Sequence, residues 1–351
     1  LKKKLTIAFQ ISRTADAFNQ TCVQHLHQQH PDHSILLVSD GKEANSAIPQ
    51  LPHDFIKPAI SNALLRKYWY SIQLPKWLHK NHCDFFFSSD FSTPDSEHTK
   101  TILSLRAPLQ YDDKKLQKHL KAAFRVMVHN SLLAEELRIS FPEYADKLVE
   151  LPIGMTAASA TIDDETKINV LQQVTEGQDF FLYITAKSTT EELLMMLRSF
   201  SIFKKWQRSE MKLVIVTQDS PNKTFLSKLE HYKFRHDVIL LSQKEMTREI
   251  ISAAYACVMP NTLPMNMHAL IMSAGIPLIM PTDKYLIADY GESVIFSEWN
   301  EQELSKKMIL LYKDESYRSE QIQAGFQLLQ LRNWEMVASK IWDMVLLPAL
   351  A

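Results

Sequence analysis

Glycine is scarce in this sequence. There are 6 glycines in 351 residues, roughly a quarter of what a typical usage of ~7% would give, and none forms a G-x-G-x-x-G or G-x-x-x-x-G-K run. That excludes a glycine-rich phosphate loop, and with it a nicotinamide-dependent dehydrogenase. The only cysteines, Cys22, Cys83 and Cys257, are scattered, odd in number and never in a C-x-x-C pair. They read as reduced core thiols of a cytosolic protein, not as a disulfide framework. No run approaches the ~18–20 apolar residues of a membrane-spanning helix. Leu5-Thr6-Ile7-Ala8-Phe9, after Lys2-Lys3-Lys4, reads as a strand and not as a leader. The net charge of −1 supplies no whole-molecule field for nucleic acid. Repeats at solenoid periods are absent too.

What is present is an ordinary globular composition, 46% hydrophobic and 23% charged, in a chain long enough for two cores. Buried strands alternate with helical periodicity twice over. The first series has strands at Lys4–Gln10, Ser34–Ser39, Asp84–Ser88, Thr101–Leu105, Arg125–Val128 and Lys147–Leu151. Its helices are Thr14–His30, Tyr68–Lys80, Lys114–Arg125 and Ser131–Phe141. Residues 42–66 are mixed and broken by proline, with no clear period. Residues 155–177 are small and polar, with a short helix near Lys167–Val174. The second series has strands at Phe180–Thr185, Lys212–Thr217, Asp237–Leu241, Cys257–Pro260, from Pro277, and at Ser293–Phe296. Its helices are Thr189–Gln207, opened by a Thr189/Glu192 capping box, Lys223–Tyr232, Glu245–Ala256, one from Pro264, Gln302–Tyr312, Ser316–Leu329 and Trp334–Leu346. Such alternation means two doubly wound parallel sheets.

The stretch CVMPNTLPMNMHALIMSAGIPLIM, Cys257 to Met280, organises the second series. A buried strand turns into a helix, which Ala274-Gly275-Ile276-Pro277 then ends in the manner of a glycine C′ residue followed by proline. Ligands of open α/β sheets sit at the carboxyl ends of strands, against helix N-termini. Asn261, Thr262 and the first helical amides at Met265 and Asn266 are therefore candidate ligand contacts.

Several segments in this order resemble the retaining family 4 glycosyltransferases of the GT-B fold, over nearly the whole chain. In the back half they are YGESVIFSEWNEQELSKKMILLYKDESYRSEQIQAGF and LRNWEMVASKIW, the latter similar to the family's closing crossover helix. In the front half they are RKYWYSIQLPKWLHKNHCDFFFSS and VMVHNSLLAEELRISFPEYADKLVELPIGM. The resemblance implies an α/β GT-B architecture: two Rossmann-like doubly wound parallel-sheet domains, an interdomain cleft and a C-terminal crossover helix. The corresponding boundaries are residues 1–160 for the N-terminal, acceptor domain and 161–178 for a linker. Residues 179–332 are the C-terminal, nucleotide-sugar domain, and 333–351 the helix returning to the N-terminal domain.

The family's chemical groups do not all carry over. Anchored on Gly275-Ile276-Pro277, its paired glutamates fall on Thr262 and Leu270, and its glycine-rich turn on Leu263-Pro264-Met265. Its Gly-Arg falls on Thr185 and Ala186 and the following Lys on Glu191, with Lys187 close by. The N-terminal Gly-Gly turn falls within Ser12–Ala15, and a His-Asp pair on Arg106 and Ala107. A departing diphosphate needs cations or an amide nest. Arg106 and Lys187 are the candidate catalytic cations. The candidate donor-binding set is Arg13, Thr185, Lys187, Thr217, Ser242, Asn261, Thr262, Met265 and Asn266.

Other features have structural readings. His25 and His27 are two apart on a helix and share no face; with His30 and His33 they read as exposed helix-end residues, and no metal site is expected. His79 and His82 lie at a fraying helix end. Lys114, Lys115, Lys118 and Lys121 form a basic face opposite Leu116 and Leu120. That face belongs to a solvated helix packed on the sheet or to a helix touching an anionic membrane. Trp69, Tyr70 and Trp77 have core spacing, though they could stack on a sugar. His268 is either a ligand contact or a buried, satisfied histidine.

The expected activity is transfer of a sugar from a UDP- or GDP-linked donor to a glycan or lipid-linked acceptor. No resident cofactor and no nucleic-acid partner are expected, and the location is cytoplasmic or membrane-peripheral. The competing expectation, drawn from the missing glutamates, is a catalytically inactive GT-B scaffold acting as a binding or partner subunit.

Overall fold

The computed structural model describes residues 4–11, 17–40, 51–88, 91–105, 113–156, 161–185, 189–260 and 265–349. The chain divides into two compact units, Leu1–Gly154 together with Arg332–Ala351, and Met155–Leu331.

The first unit runs β1 (Thr6–Gln10), α1 (Ala17–Gln29), β2 (Ser34–Ser39), β3 (His53–Phe55) and α2 (Ala63–Tyr68). A π-helical turn over Trp69–Gln73 leads into α3 (Leu74–Lys80), then β4 (Phe85–Ser88), β5 (Lys100–Leu105) and α4 (Asp113–Ala122). It closes with β6 (Arg125–Val128), α5 (Ser131–Ser140) and β7 (Leu148–Glu150). Its strands form a 7-stranded parallel sheet in the order β3-β2-β1-β4-β5-β6-β7. A parallel sheet covered on both faces needs strands that are apolar on both sides. The three phenylalanines of β4 supply that. Phe85 and Phe87 enter one core with Ile7 and Phe9, and the Phe9 and Phe87 rings stack at 4.3 Å. Phe86 enters the opposite core with Ala8, Trp69, Leu74 and Leu78.

The second unit opens with α6 (Asp164–Thr175) and then alternates. Its elements are β8 (Phe180–Thr185), α7 (Thr190–Gln207), β9 (Lys212–Thr217), α8 (Lys223–Glu230), β10 (Val238–Ser242) and α9 (Arg248–Ala253). There follow β11 (Ala256–Val258), α10 (Met265–Ser273), β12 (Leu278–Pro281), α11 (Lys284–Tyr290) and β13 (Ile295–Ser297). Finally come α12 (Glu301–Lys313) and α13 (Glu315–Leu331). The sheet is 6-stranded and parallel, in the order β10-β9-β8-β11-β12-β13. Phe180, Leu182 and Ile184 face one core, and Phe181 and Tyr183 the other. At the other end of β9, Asp237 holds two buried lysines, with Lys204 Nζ and Lys212 Nζ each 3.0 Å from its carboxylate. Burial raises the Asp237 pKa, but hydrogen bonds from both lysines outweigh it and hold the carboxyl below its ordinary value.

The chain ends in the first unit with α14 (Trp334–Ile341), continued by a π-helical turn to Leu346. Trp334, Val337, Ala338 and Ile341 join Cys22, Val23 and Leu26 of α1 in one core. Gly154 is required there: an added Cβ would sit 2.4 Å from the Trp334 ring. The α1-end histidines are not exposed as the sequence suggested. His30 stacks on Trp342 at 3.7 Å, and His33 Nδ1 accepts the Leu5 backbone N–H at 3.0 Å. Packing of the C-terminal segment covers them.

Candidate functional site

In the second unit the strand order runs one way from β8 to β10 and the other way from β11 to β13. The switch point lies between β8 and β11. Residues of α7 pack into the core on one face, and those of α10 into the core on the other. The two helices thus diverge from adjacent strands and leave a crevice at the carboxyl edge, where open α/β sheets bind ligands.

Three expected donor-site residues end neighbouring strands in register. Thr185 closes β8 opposite Thr217 of β9, which is opposite Ser242 of β10. Thr185 and Thr217 are buried, whereas Ser242 is exposed and already engaged. Its N–H and hydroxyl both donate to Glu245 Oε2, at 2.8 and 2.6 Å. These bonds hold the Glu245 carboxyl below its ordinary value. A carboxylate at this corner repels an anion, so Ser242 is the weakest member of the set. Met265 opens α10 and Asn266, exposed, is its second residue. Arg13, Arg106, Lys187, Asn261 and Thr262 lie outside the described residues.

The helix starts along this edge differ in charge. The capping box of α7 is present as expected: Thr189 Oγ1 accepts the Glu192 N–H at 3.2 Å, and Glu192 Oε2 accepts the Thr189 N–H at 3.1 Å. With Glu191 alongside, that first turn is acidic. The first turns of α9 and α12 also carry glutamate, and Asp283 caps α11. The first turn of α8 has no acid, but Asn222 caps it, accepting from Phe225 N–H at 2.9 Å. The first turn of α10 has no acidic residue, and its partial positive charge borders the switch point.

Two side chains near this crevice have unusual environments. Tyr183, two residues before Thr185 on the same strand face, is fully buried. Burial, reinforced by the charge of Glu192, pushes its phenol pKa up. A tyrosine inside the otherwise apolar FFLYIT was the only sequence signal. His268, one turn into α10, is also buried. Its Nδ1 lies 2.6 Å from the Tyr290 hydroxyl, while its Nε2 has no hydrogen-bond partner among the described residues. Burial lowers its pKa to about 4, so the ring is neutral at pH 7. The histidine is buried, as one expectation had it, but its ring is not fully satisfied among the described residues.

The aromatic cluster resolves into packing. Trp69 is fully buried and donates its indole N–H to the Ile56 carbonyl at 3.1 Å; Trp77 donates to Asp54 at 2.8 Å. Leu116 and Leu120 of α4 are buried, and Lys114, Lys115, Lys118 and Lys121 are exposed. Buried His129 ties three strand ends together, with Nε2 2.8 Å from Ser104 Oγ and Nδ1 2.7 Å from the Leu151 carbonyl. Among the described residues no three His, Cys, Asp or Glu side chains converge as metal ligands, and no helix is long and apolar enough to cross a membrane.

Two parallel-sheet α/β units with this strand order define the GT-B fold class. No protein-family model matches the sequence, and no curated protein matches it. Solved structures match along the whole chain. A glycosyltransferase of Rickettsia africae aligns over 97% of this chain and 98% of its own, at 11% identity and a TM-score of 0.74. HepE of Anabaena, crystallised with UDP and glucose, aligns over 97% and 99%, at 11% identity and a TM-score of 0.66. A UDP-N-acetylglucosamine 2-epimerase aligns over 99% and 97%, at 11% identity and a TM-score of 0.61. At such identities the likeness is one of fold.

Proposed function

We propose that this chain is a glycosyltransferase that takes a sugar from a UDP- or GDP-linked donor and passes it to a glycan or lipid-linked acceptor. The observation that carries this reading is the opening of α10 at the β8–β11 switch point, free of the carboxylates that load the neighbouring helix starts. A diphosphate there is stabilised by helix amides and the helix dipole, without a glycine-rich loop. Thr185 and Thr217 supply hydroxyls beside it. Arg106 and Lys187 are assigned the cationic role toward the leaving group, and Arg13, Asn261 and Thr262 belong to the donor set. The likeness to enzymes of nucleotide sugars says which ligand to test first. The family 4 affiliation, with its retaining outcome, and a cytoplasmic or membrane-peripheral location complete the reading. No resident cofactor is invoked, because the activated sugar arrives on its nucleotide.

A second reading has its own support. Leu270, at the position of the family's later glutamate, is half-buried and packs against an apolar core. Without that carboxylate the nucleotide's ribose loses a fixed acceptor, as in a scaffold that retains the fold and works as a binding subunit. Thermal melting against UDP, GDP and their sugar conjugates separates the two. A ligand at 100 times its dissociation constant adds about 2.7 kcal/mol of stability. Selective stabilisation by one nucleotide sugar, followed by slow nucleotide release in its presence, supports the transferase. Stabilisation by none of them refutes it in this form.

A further inference from the structure

The first unit has its own switch point, between β1 and β4, and a chain of hydrogen bonds leads outward from it. Gln10 closes β1 and is buried. Its Oε1 accepts from the Tyr70 hydroxyl at 2.9 Å and from the Ser88 hydroxyl at 3.4 Å. Ser88 Oγ accepts the Ser92 backbone N–H at 3.2 Å, and the Ser92 hydroxyl accepts from Arg66 Nη2 at 2.9 Å. The Arg66 guanidinium also lies 5.9 Å from the centre of the Tyr70 ring. Both contacts go to members of one network, so the guanidinium is held in place and not swept through solvent.

Arg66 borders a cavity of about 520 Å³, within the ~300–1,000 Å³ of small-ligand sites. Ser61, Asn62 and Ser92 give it polar walls, and Lys115 and His119 of α4 complete it. Those two are four residues apart, so one helix face presents both, while Leu116 and Leu120 turn to the core. The His119 ring meets Phe91 edge-on at 5.9 Å and lies 3.4 Å from the Thr93 hydroxyl. Among the described residues no Asp or Glu lines the cavity. A planar guanidinium fork, an ammonium and an imidazole thus converge from two elements on one concavity. A phosphate ester, with oxygens for each donor, is the complementary small group.

We propose that this cavity binds a phosphate monoester, carried either by a free sugar or by a lipid head. That the ligand is the acceptor of a transfer rests on the function proposed above; the binding itself does not. Calorimetric titration of the full chain compares glucose 6-phosphate with glucose at low and at physiological salt. The phosphate ester is expected to bind at least tenfold more tightly, with the difference shrinking as salt rises. Arg66→Met and Lys115→Met, each melting at the wild-type temperature, are expected to weaken it about tenfold, and Arg66→Lys less, because charge survives while the fork is lost. Vesicles containing phosphatidic acid test the lipid source: capture by wild type but not by Arg66→Met, with no free ester bound, assigns the phosphate to a lipid head. Equal affinity for glucose and its phosphate without vesicle capture, or folded variants that bind both probes like wild type, overturns the proposal. UDP stabilisation measured on the same proteins keeps the two readings apart. Loss of ester binding with UDP stabilisation intact is a failure of this site alone, and the reverse is a failure of the donor reading alone.

Discussion

Asn266→Asp should move stability and ligand affinity in opposite directions. Asn266 is exposed at the second position of α10, whose first turn carries no acid. A carboxylate there meets the positive end of the helix dipole and should stabilise the free protein by about 0.3–1 kcal/mol. The same charge repels a bound diphosphate. At a separation of ~6 Å and an effective dielectric of ~40, each unit of phosphate charge costs about 1.4 kcal/mol, and physiological salt roughly halves that. For a diphosphate of about two charges, the net penalty is close to tenfold in affinity. At a UDP concentration of 100 times the wild-type dissociation constant, stabilisation should fall from about 2.7 to about 1.4 kcal/mol. Thermal melting with and without UDP, backed by direct titration, reads both effects. A variant that melts higher alone yet keeps the full UDP stabilisation would refute the placement of the diphosphate on α10.

Three further outcomes test the frame around the site. Asp237→Asn removes the only charge between Lys204 and Lys212 that the described structure pairs with both, and chemical denaturation at pH 7 should show a loss of about 3 kcal/mol. In wild type the depressed carboxyl pKa makes this contribution full above the unfolded value, and it is lost as pH falls through the folded one. His268, with its pKa lowered to about 4, acts with the sign expected of a histidine buried neutral. Its unfolded form takes a proton near pH 6.5 and the folded form does not, so wild type should lose about 2–3 kcal/mol between pH 7.5 and 4.5. His268→Phe should lose that much less over the same range, and an identical pH profile would contradict the burial argument. Gly154→Ala places a methyl group against the Trp334 ring; overpacking of about 1–3 kcal/mol is expected from calorimetry.

Much of the architecture was legible because the local rules agreed with one another. β8 and β9 are apolar on both faces and sit where their composition placed them. The Thr189/Glu192 pattern marked the start of α7, and Gly275, with φ of +73°, marked the end of α10. Illegible elements are those whose stability comes from elsewhere. β3 is His53-Asp54-Phe55, a half-exposed edge strand with no apolar run, and it forms by pairing with β2. The helix expected from Tyr68 begins at Ala63, because Asn62 accepts the Leu65 N–H at 2.9 Å. α9 is shorter than its periodicity, since Ser242 and Glu245 close a turn ahead of its Thr247 cap. α11 went unseen between two strands. It is short, and it depends on Asp283 accepting from both Tyr285 and Leu286 N–H groups.

The candidate site was chosen on a different ground. Strand ends are positions that topology dictates, so Thr185, Thr217 and Ser242 could be picked from the alternation of elements before any contact was known. Which of them is available is decided by short polar contacts that leave no periodic trace. Glu245 engages Ser242 and makes it the weakest member of the set, and Glu192 makes the start of α7 a poor place for phosphate. Periodicity is equally blind to the Arg66 network, whose members Gln10, Tyr70, Ser88 and Ser92 are spread over β1, the π-helical turn, β4 and the loop beyond it. Resemblance to a family pointed to positions such as Leu270, where the side chain packs against an apolar core. Both proposals therefore turn on where charge sits: an acid-free start at α10 in one unit, and an arginine beside Lys115 and His119 in the other. Neither depends on glycine, which accounts for how so glycine-poor a chain can still be read as an enzyme of anionic substrates.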